Sequence, residues 1–205
     1  MKTLSRLIAF STLCFGFLLL GAASEYYDAK WKVDLAKGNM RYHKVKMSDY
    51  KVVKFISDGT DMRTWGFIHY SYQYHWHKNG NLVTAKITDL SIRSGLEGAK
   101  SLRREGFSDT GLLIHEQHHL DINELFADKF RKTPVPIGYG PDENAAVSDL
   151  KEKMENNLHK ILKEAQAMQD LYDKETNHSR NDTKQKIWNK KIEKLLRDSN
   201  ITFAS

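Results

Sequence analysis

The sequence holds one cysteine in 205 residues, so no disulfide can form within the chain and a disulfide scaffold is excluded. The same scarcity excludes a zinc site built from thiolates, leaving histidines and carboxylates as the ligands for any metal. Proline is nearly as scarce. The three prolines all fall between 133 and 141, and with no repeat or low-complexity stretch this excludes collagen-like and disordered architectures. Neither charge sign dominates: the net charge of +6 is only mildly basic and does not require a nucleic-acid partner, so none is expected. What is present is core material. Nine Phe, nine Tyr and four Trp within 205 residues are ample for one domain with its own hydrophobic interior.

Long apolar runs are absent except at the start. Lys2 and Arg6 precede an uncharged stretch from Leu7 to Ala23 whose centre is Phe15, Phe17, Leu18, Leu19 and Leu20. Small residues Ala22, Ala23 and Ser24 close it, in the order of a secretory signal with a cleavage site. The stretch falls short of the ~20 residues that span a bilayer. Residues 1–24 are therefore expected to be a cleaved signal and residues 25–205 a single domain working outside the cytoplasm, secreted or periplasmic, without stable membrane insertion. Cleavage would remove Cys14 and leave a thiol-free protein. It would also remove Lys2 and Arg6, taking the net charge from +6 to +4. Such a protein needs chemistry independent of ATP and of a reducing compartment, and hydrolysis fits.

Two periodicities follow in turn. From Val52 to Arg93 the period is near two, with Val52 to Ile56 as a short strand. Ile68, Tyr70, Tyr72, Tyr74 and Trp76 then alternate along one face of an aromatic strand. Asn79-Gly80 marks a hairpin turn, and Leu82 to Ile92 is the return strand. After Gly98 the period becomes helical. A helix is predicted from about Ser108-Asp109 to Arg131, a loop over Thr133 to Pro141, then a long amphipathic helix carrying Val147, Leu150, Met154, Leu158, Ile161, Ala165, Met168 and Tyr172. A shorter helix around Ile187, Trp188, Ile192, Leu195 and Leu196 closes the chain. Strands first and helices afterwards predict an α+β fold, an N-terminal antiparallel β-meander followed by helices.

The chemistry sits in the first helix. His115-Glu116-Gln117-His118-His119 has the HExxH form, which puts two imidazoles four residues apart on one helix face. Both can bind one Zn²⁺, while Glu116 reaches a metal-bound water whose pKa the ion lowers toward ~7, and accepts its proton during attack on a carbonyl. His118 is also one turn from His115, but the i, i+4 pair gives Glu116 its expected role as general base. A catalytic zinc usually has three protein ligands and an open position. For the third, the sequence offers Glu143 at the start of the long helix, His159 within it, and the cluster Tyr172-Asp173-Lys174-Glu175-Thr176-Asn177-His178 at its end. Glu143 has an ordinary explanation as a carboxylate at a helix N-terminus, and His159 has one as a group beside the apolar stripe.

His115-Glu116-Gln117-x-His119 followed by Asp121-Ile122 resembles a bacterial family of uncharacterised secreted proteins predicted to be zinc-dependent proteases. The resemblance extends to Tyr172-Asp173-x-x-Thr176-x-His178, to Gln185 and Trp188, and to the aromatic strand Trp65 to Tyr74. It covers about Asp49 to Leu196. It implies a zincin-like metallopeptidase domain with peptide or protein substrates, and it favours His178 as the third ligand beside His115 and His119. Ser179 departs from the family pattern, in which a glycine usually follows the histidine.

Tyr172, six residues before His178, is a candidate donor to a tetrahedral oxyanion, or else the end of the long helix's apolar stripe. The aromatic strand is a candidate for pairing with an extended peptide. His75 and His77 share a strand face, and the lysines of the last helix form a run; both read as solvated surface. Asn177, Asn181 and Asn200 open glycosylation sequons that matter only in a glycosylating host. The leading expectation is a zinc metallopeptidase with Glu116 and Tyr172 in the chemistry and His115, His119 and His178 on the metal. The alternative is a non-catalytic envelope binding or scaffold protein on the same frame.

Overall fold

The computed structural model describes residues 39–203 and, before them, only the backbone of three short strands, Arg6–Leu7, Ser11–Cys14 and Gly16–Leu18. The expected signal and its cleavage site otherwise lie outside the described residues. No described helix is long and apolar enough to cross a membrane.

The fold is α+β. Alternation in the aromatic strand produces a long hairpin, β4 (Gly66–Asn79) and β5 (Leu82–Glu97), joined at Gly80-Asn81 where Gly80 has φ +58°. The register runs from Gly66↔Leu96 to Asn79↔Leu82, with a bulge at Gln73/Tyr74. Ile68, Tyr70, Tyr72 and Tyr74 all point to one face and are buried there, as the period of two requires. Strand β1 (Asn39–Arg41) pairs with the last residues of β5, Gly95 to Glu97, and Ser11–Cys14 pairs with Phe67 to Tyr70 on the far edge of β4. A small second sheet has the order β2 (Lys51–Val53), β6 (Leu102–Arg104), β3 (Met62–Arg63), with β2 parallel to β6.

Of three helices, the first two cover the buried face of the hairpin and the third packs against both of them. Each begins at a side-chain cap that satisfies otherwise orphaned amides. Asp109 accepts from Gly111 and Leu112 N–H at the start of α1 (Thr110–Arg131), Asp142 from Ala145 N–H at α2 (Glu143–Thr176), and Asn181 from Lys184 N–H at α3 (Asp182–Asp198). The stripe Leu150, Met154, Leu158 and Ile161 of α2 packs on the tyrosines of β4 together with Phe130 of α1. Ile122, Tyr172, Trp188 and Ile192 bring the three helices together in a separate cluster, and Phe126 touches both groups.

Two stretches differ from the pattern-based reading. The segment read as a loop contains strand β7 (Ile137–Gly140), which pairs with Val83 to Lys86 of β5. Flanking prolines hide it, because proline is compatible with a sheet edge and not its interior. Its glycines are needed for contact with α2: a Cβ on Gly138 would lie 2.0 Å from the Ala146 carbonyl oxygen. Strand β6 likewise interrupts the region after Gly98 that was read as helical. Three residues are too few to show a period.

Candidate metal centre

The capped start of α1 sets the phase of the helix, and that phase carries His115 and His119 to the same side, one turn apart. Their Nε2 atoms are 3.2 Å from each other. Asp173, in the last turn of α2, brings Oδ1 to 3.2 Å from His115 Nε2 and 3.1 Å from His119 Nε2. The three atoms form a nearly equilateral triangle. A tetrahedral zinc with bonds of about 2.0–2.1 Å has ligand–ligand edges of about 3.3 Å, so the triangle has the dimensions of a coordination face.

Hydrogen bonds determine which imidazole atoms carry protons. His115 Nδ1 lies 3.1 Å from Gln185 Oε1, and His119 Nδ1 lies 2.5 Å from Gln169 Oε1. Both amides are oriented by their other ends. Gln185 Nε2 donates to the Tyr172 hydroxyl and to Asn189 Oδ1, and Gln169 Nε2 donates to the His119 carbonyl and to Asn123 Oδ1. Each glutamine therefore presents oxygen to Nδ1, which must donate, and both neutral rings are left with Nε2 lone pairs facing Asp173. This is the outer-shell arrangement that orients metal-binding histidines. Asp173 Oδ1 is buried and receives no hydrogen bond of acceptable geometry. Three acceptors converge with no donor among them, so the donor set fits a divalent cation.

The electrostatics point the same way. Burial alone would lower the His119 pKa, but the Asp173 and Glu116 carboxylates and the Gln169 bond outweigh it and raise it to about 9. Burial opposes ionisation of Asp173, yet the two imidazoles hold its carboxyl well below the usual range. Both shifts favour positive charge beside the Asp173 carboxylate.

Glu116 is buried beside this triangle, and no described residue hydrogen-bonds its carboxylate. It lines a cleft of about 520 Å³ between residues 58–66, α1 and the end of α2, with Trp65, Leu112, Gln166 and Asp170 among its walls. The cleft wall is thus the segment leading into β4. The Ile68–Trp76 stretch expected to receive a peptide is not part of it.

His178 is placed differently from the other two histidines. Its Nδ1 is 3.7 Å from Asp173 Oδ1, and its side chain is 69% exposed. His115, Asp173 and His178 can each offer a ligand atom with all three within 4.8 Å, so His178 borders the site without sharing the tight triangle. The reason is the chain reversal after α2. Asn177, His178 and Ser179 have φ of 50°, 51° and 68°, a left-handed turn that leaves His178 exposed at the edge of the cleft.

The oxyanion role considered for Tyr172 fails on geometry. Its side chain is fully buried, its ring stacks on His115 at 4.6 Å, and its hydroxyl donates to the His115 carbonyl while accepting from Gln185. It supports the His115 ring from behind. Glu143 occupies the opposite end of the 34-residue α2, on the order of 45 Å from Asp173 at 1.5 Å per residue. Glu175 accepts from Trp188 Nε1, and His159 is exposed on α2. His118 faces α3, bonded to Asp121 at 2.7 Å and Asn189 at 3.0 Å.

Asp173 was one of several candidates in sequence, whereas Gln169 as a supporting residue was missed. The only local signal for Gln169 is its place on the face of α2 that carries Tyr172, Asp173 and Thr176.

A bacterial protein family of unknown function, DUF922, matches residues 56–179. The chain belongs to this family. The DUF922 segment contains the cleft wall, the HExxH helix, Asp173 and His178, and it ends before α3, so Gln185 and Asn189 come from outside it. No curated protein and no solved structure matches the chain.

Proposed function

We propose that this protein is a secreted or periplasmic zinc-dependent hydrolase of peptide bonds, with His115, His119 and Asp173 as the metal ligands and Glu116 as general base. The observation that carries this reading is the convergence of two imidazole Nε2 atoms and a buried carboxylate oxygen, 3.1–3.2 Å apart, in a cleft that Glu116 also lines. Zinc is the expected metal because two imidazoles and one carboxylate suit a borderline-soft ion that accepts four ligands. When bound, the ion would polarise the scissile carbonyl and acidify a water.

The chain's own residues supply the rest. Gln185 and Gln169 hold the two imidazoles in the tautomer that leaves Nε2 free, and Tyr172 fixes the His115 ring by stacking and by its bond to the His115 carbonyl. Glu116 takes the proton of the attacking water and passes it to the leaving amine, a role that needs a carboxylate free of other partners. The walls of the cleft exclude bulk water and align the substrate.

Glu116→Gln tests this. The variant should keep one zinc per chain and lose hydrolysis of a mixed peptide library by at least ~100-fold, the lower end of a general base's contribution. Undiminished hydrolysis would remove Glu116 from the mechanism. Absence of zinc from the wild-type protein after mild purification and zinc supplementation would remove the metal.

A further inference from the structure

Three of the four groups around the centre are held in place, and the fourth is not. His115 and His119 are fixed by glutamine bonds and by the Tyr172 ring, and Asp173 is set by the helix. His178 has 69% of its side chain exposed, against 2% for His115 and 19% for His119. Among the described residues, the one charged group near its imidazole is Asp173, at 3.7 Å.

Its backbone, by contrast, is held by hydrogen bonds. His178 N–H donates to the Asp173 carbonyl at 3.1 Å, and Asn181 N–H donates to the Thr176 carbonyl at 2.8 Å. Three consecutive non-glycine residues are left-handed here, a conformation that L-residues adopt at a cost and that tends to persist at functional sites. The turn thus stations an untethered imidazole at the mouth of the cleft, within 4.8 Å of two ligand atoms.

From this juxtaposition we infer that His178 is an exchangeable fourth ligand, which closes the metal's open position when the cleft is empty and leaves it when a substrate group coordinates. The inference rests on the metal-binding reading above. Zinc with four protein ligands is a closed centre, and zinc with three is open to water or substrate. A fixed triangle plus one mobile imidazole gives both states from side-chain rotation alone. No bond is made or broken beyond ligand exchange, with the Nδ1 lone pair replaced on the metal by the incoming oxygen. The fourth ligand would protect the ion from loss and from adventitious anions, and a correct substrate would have to displace it.

The test uses the purified protein loaded with Co²⁺ in place of zinc, in wild-type, His178→Asn and His115→Ala forms. Asparagine tolerates the left-handed backbone, so His178→Asn preserves the turn. The expected result has three parts: one Co²⁺ per chain is retained, the visible absorption of the ion changes, and acetohydroxamate binds roughly tenfold more tightly because no imidazole competes. His115→Ala should lose the ion. If His178→Asn empties the site as His115→Ala does, His178 is an obligatory ligand and the exchange proposal is wrong. If spectrum and acetohydroxamate affinity are both unchanged, His178 does not reach the ion and the proposal is equally wrong. A wild-type protein that binds no Co²⁺ overturns it outright. None of these readouts depends on hydrolysis, so a metal-binding protein without peptidase activity would refute the proposed function and leave this result legible.

Discussion

Gln185 Oε1 and His115 Nδ1 meet at 3.1 Å although 70 residues separate them. The bond joins α3 to the HExxH helix and decides which nitrogen of His115 is free. Loss of outer-shell partners of metal-bound histidine typically weakens metal affinity by about 10–100-fold. Gln185→Leu is expected to fall in that range with the fold intact, measured by zinc competition against a chromophoric chelator. Gln169→Leu should do the same through His119. Wild-type affinity in both variants would show that the tautomers are set by other contacts.

The pH dependence of the metal-free protein has a definite sign. The folded pKa of His119 is raised to about 9, above its ordinary value of 6.5. Its pairing with Asp173 therefore stabilises fully below about pH 6.5 and is lost as pH rises through about 9. Asp173, held below the usual carboxylate range, adds stability that disappears on acidification. Urea unfolding in the presence of a chelator should show stability declining between pH 6.5 and 9, and His119→Gln should flatten that limb. A wild-type profile that is already flat there contradicts the assignment.

Gly66 lets the cleft wall lie against α1. A Cβ at this position would come within 2.2 Å of Asn123 Nδ2 and 3.1 Å of Leu120 Cδ2. Asn123 cannot swing away freely, because its Oδ1 accepts from Gln169, the residue that positions His119. Gly66→Ala should cost about 1–3 kcal/mol as overpacking and should weaken metal binding as well. Adding Asn123→Ala ought to recover stability but not metal affinity. Neutral behaviour of Gly66→Ala in thermal unfolding would argue against the close approach.

Ser179 has φ +68°, in the left-handed region that favours glycine. Relief of that strain, offset by the greater freedom of glycine in the unfolded chain, should make Ser179→Gly more stable by about 0.5–1 kcal/mol. For a chain of this size the gain corresponds to a Tm rise of about 1–4 °C. Calorimetry showing a lower Tm would mean that the serine side chain contributes something the glycine cannot.

What could be read from the chain alone was whatever depends on neighbours within a few turns. The phase of α1 follows from Asp109 and the apolar stripe, so the pairing of His115 with His119 and the adjacency of Glu116 were legible before any fold was known. The alternation of Ile68, Tyr70, Tyr72 and Tyr74 likewise sufficed to name a buried strand face. The group that completes the triangle with the two imidazoles was beyond such reasoning. Asp173 and His178 lie five residues apart in one acidic, imidazole-containing cluster, and both residue types bind zinc. The choice was made by where α2 ends: helix through Thr176 aims Asp173 at α1, and the left-handed turn that follows carries His178 out to the rim. Tyr172 illustrates the same limit, since its hydroxyl is bound by a carbonyl on α1 and an amide on α3, partners that only packing brings near. Local periodicity specifies which face of an element a residue occupies. The distances between faces, and so the chemistry they share, were decided by how three helices pack together and how α1, the end of α2 and residues 58–66 enclose one cleft.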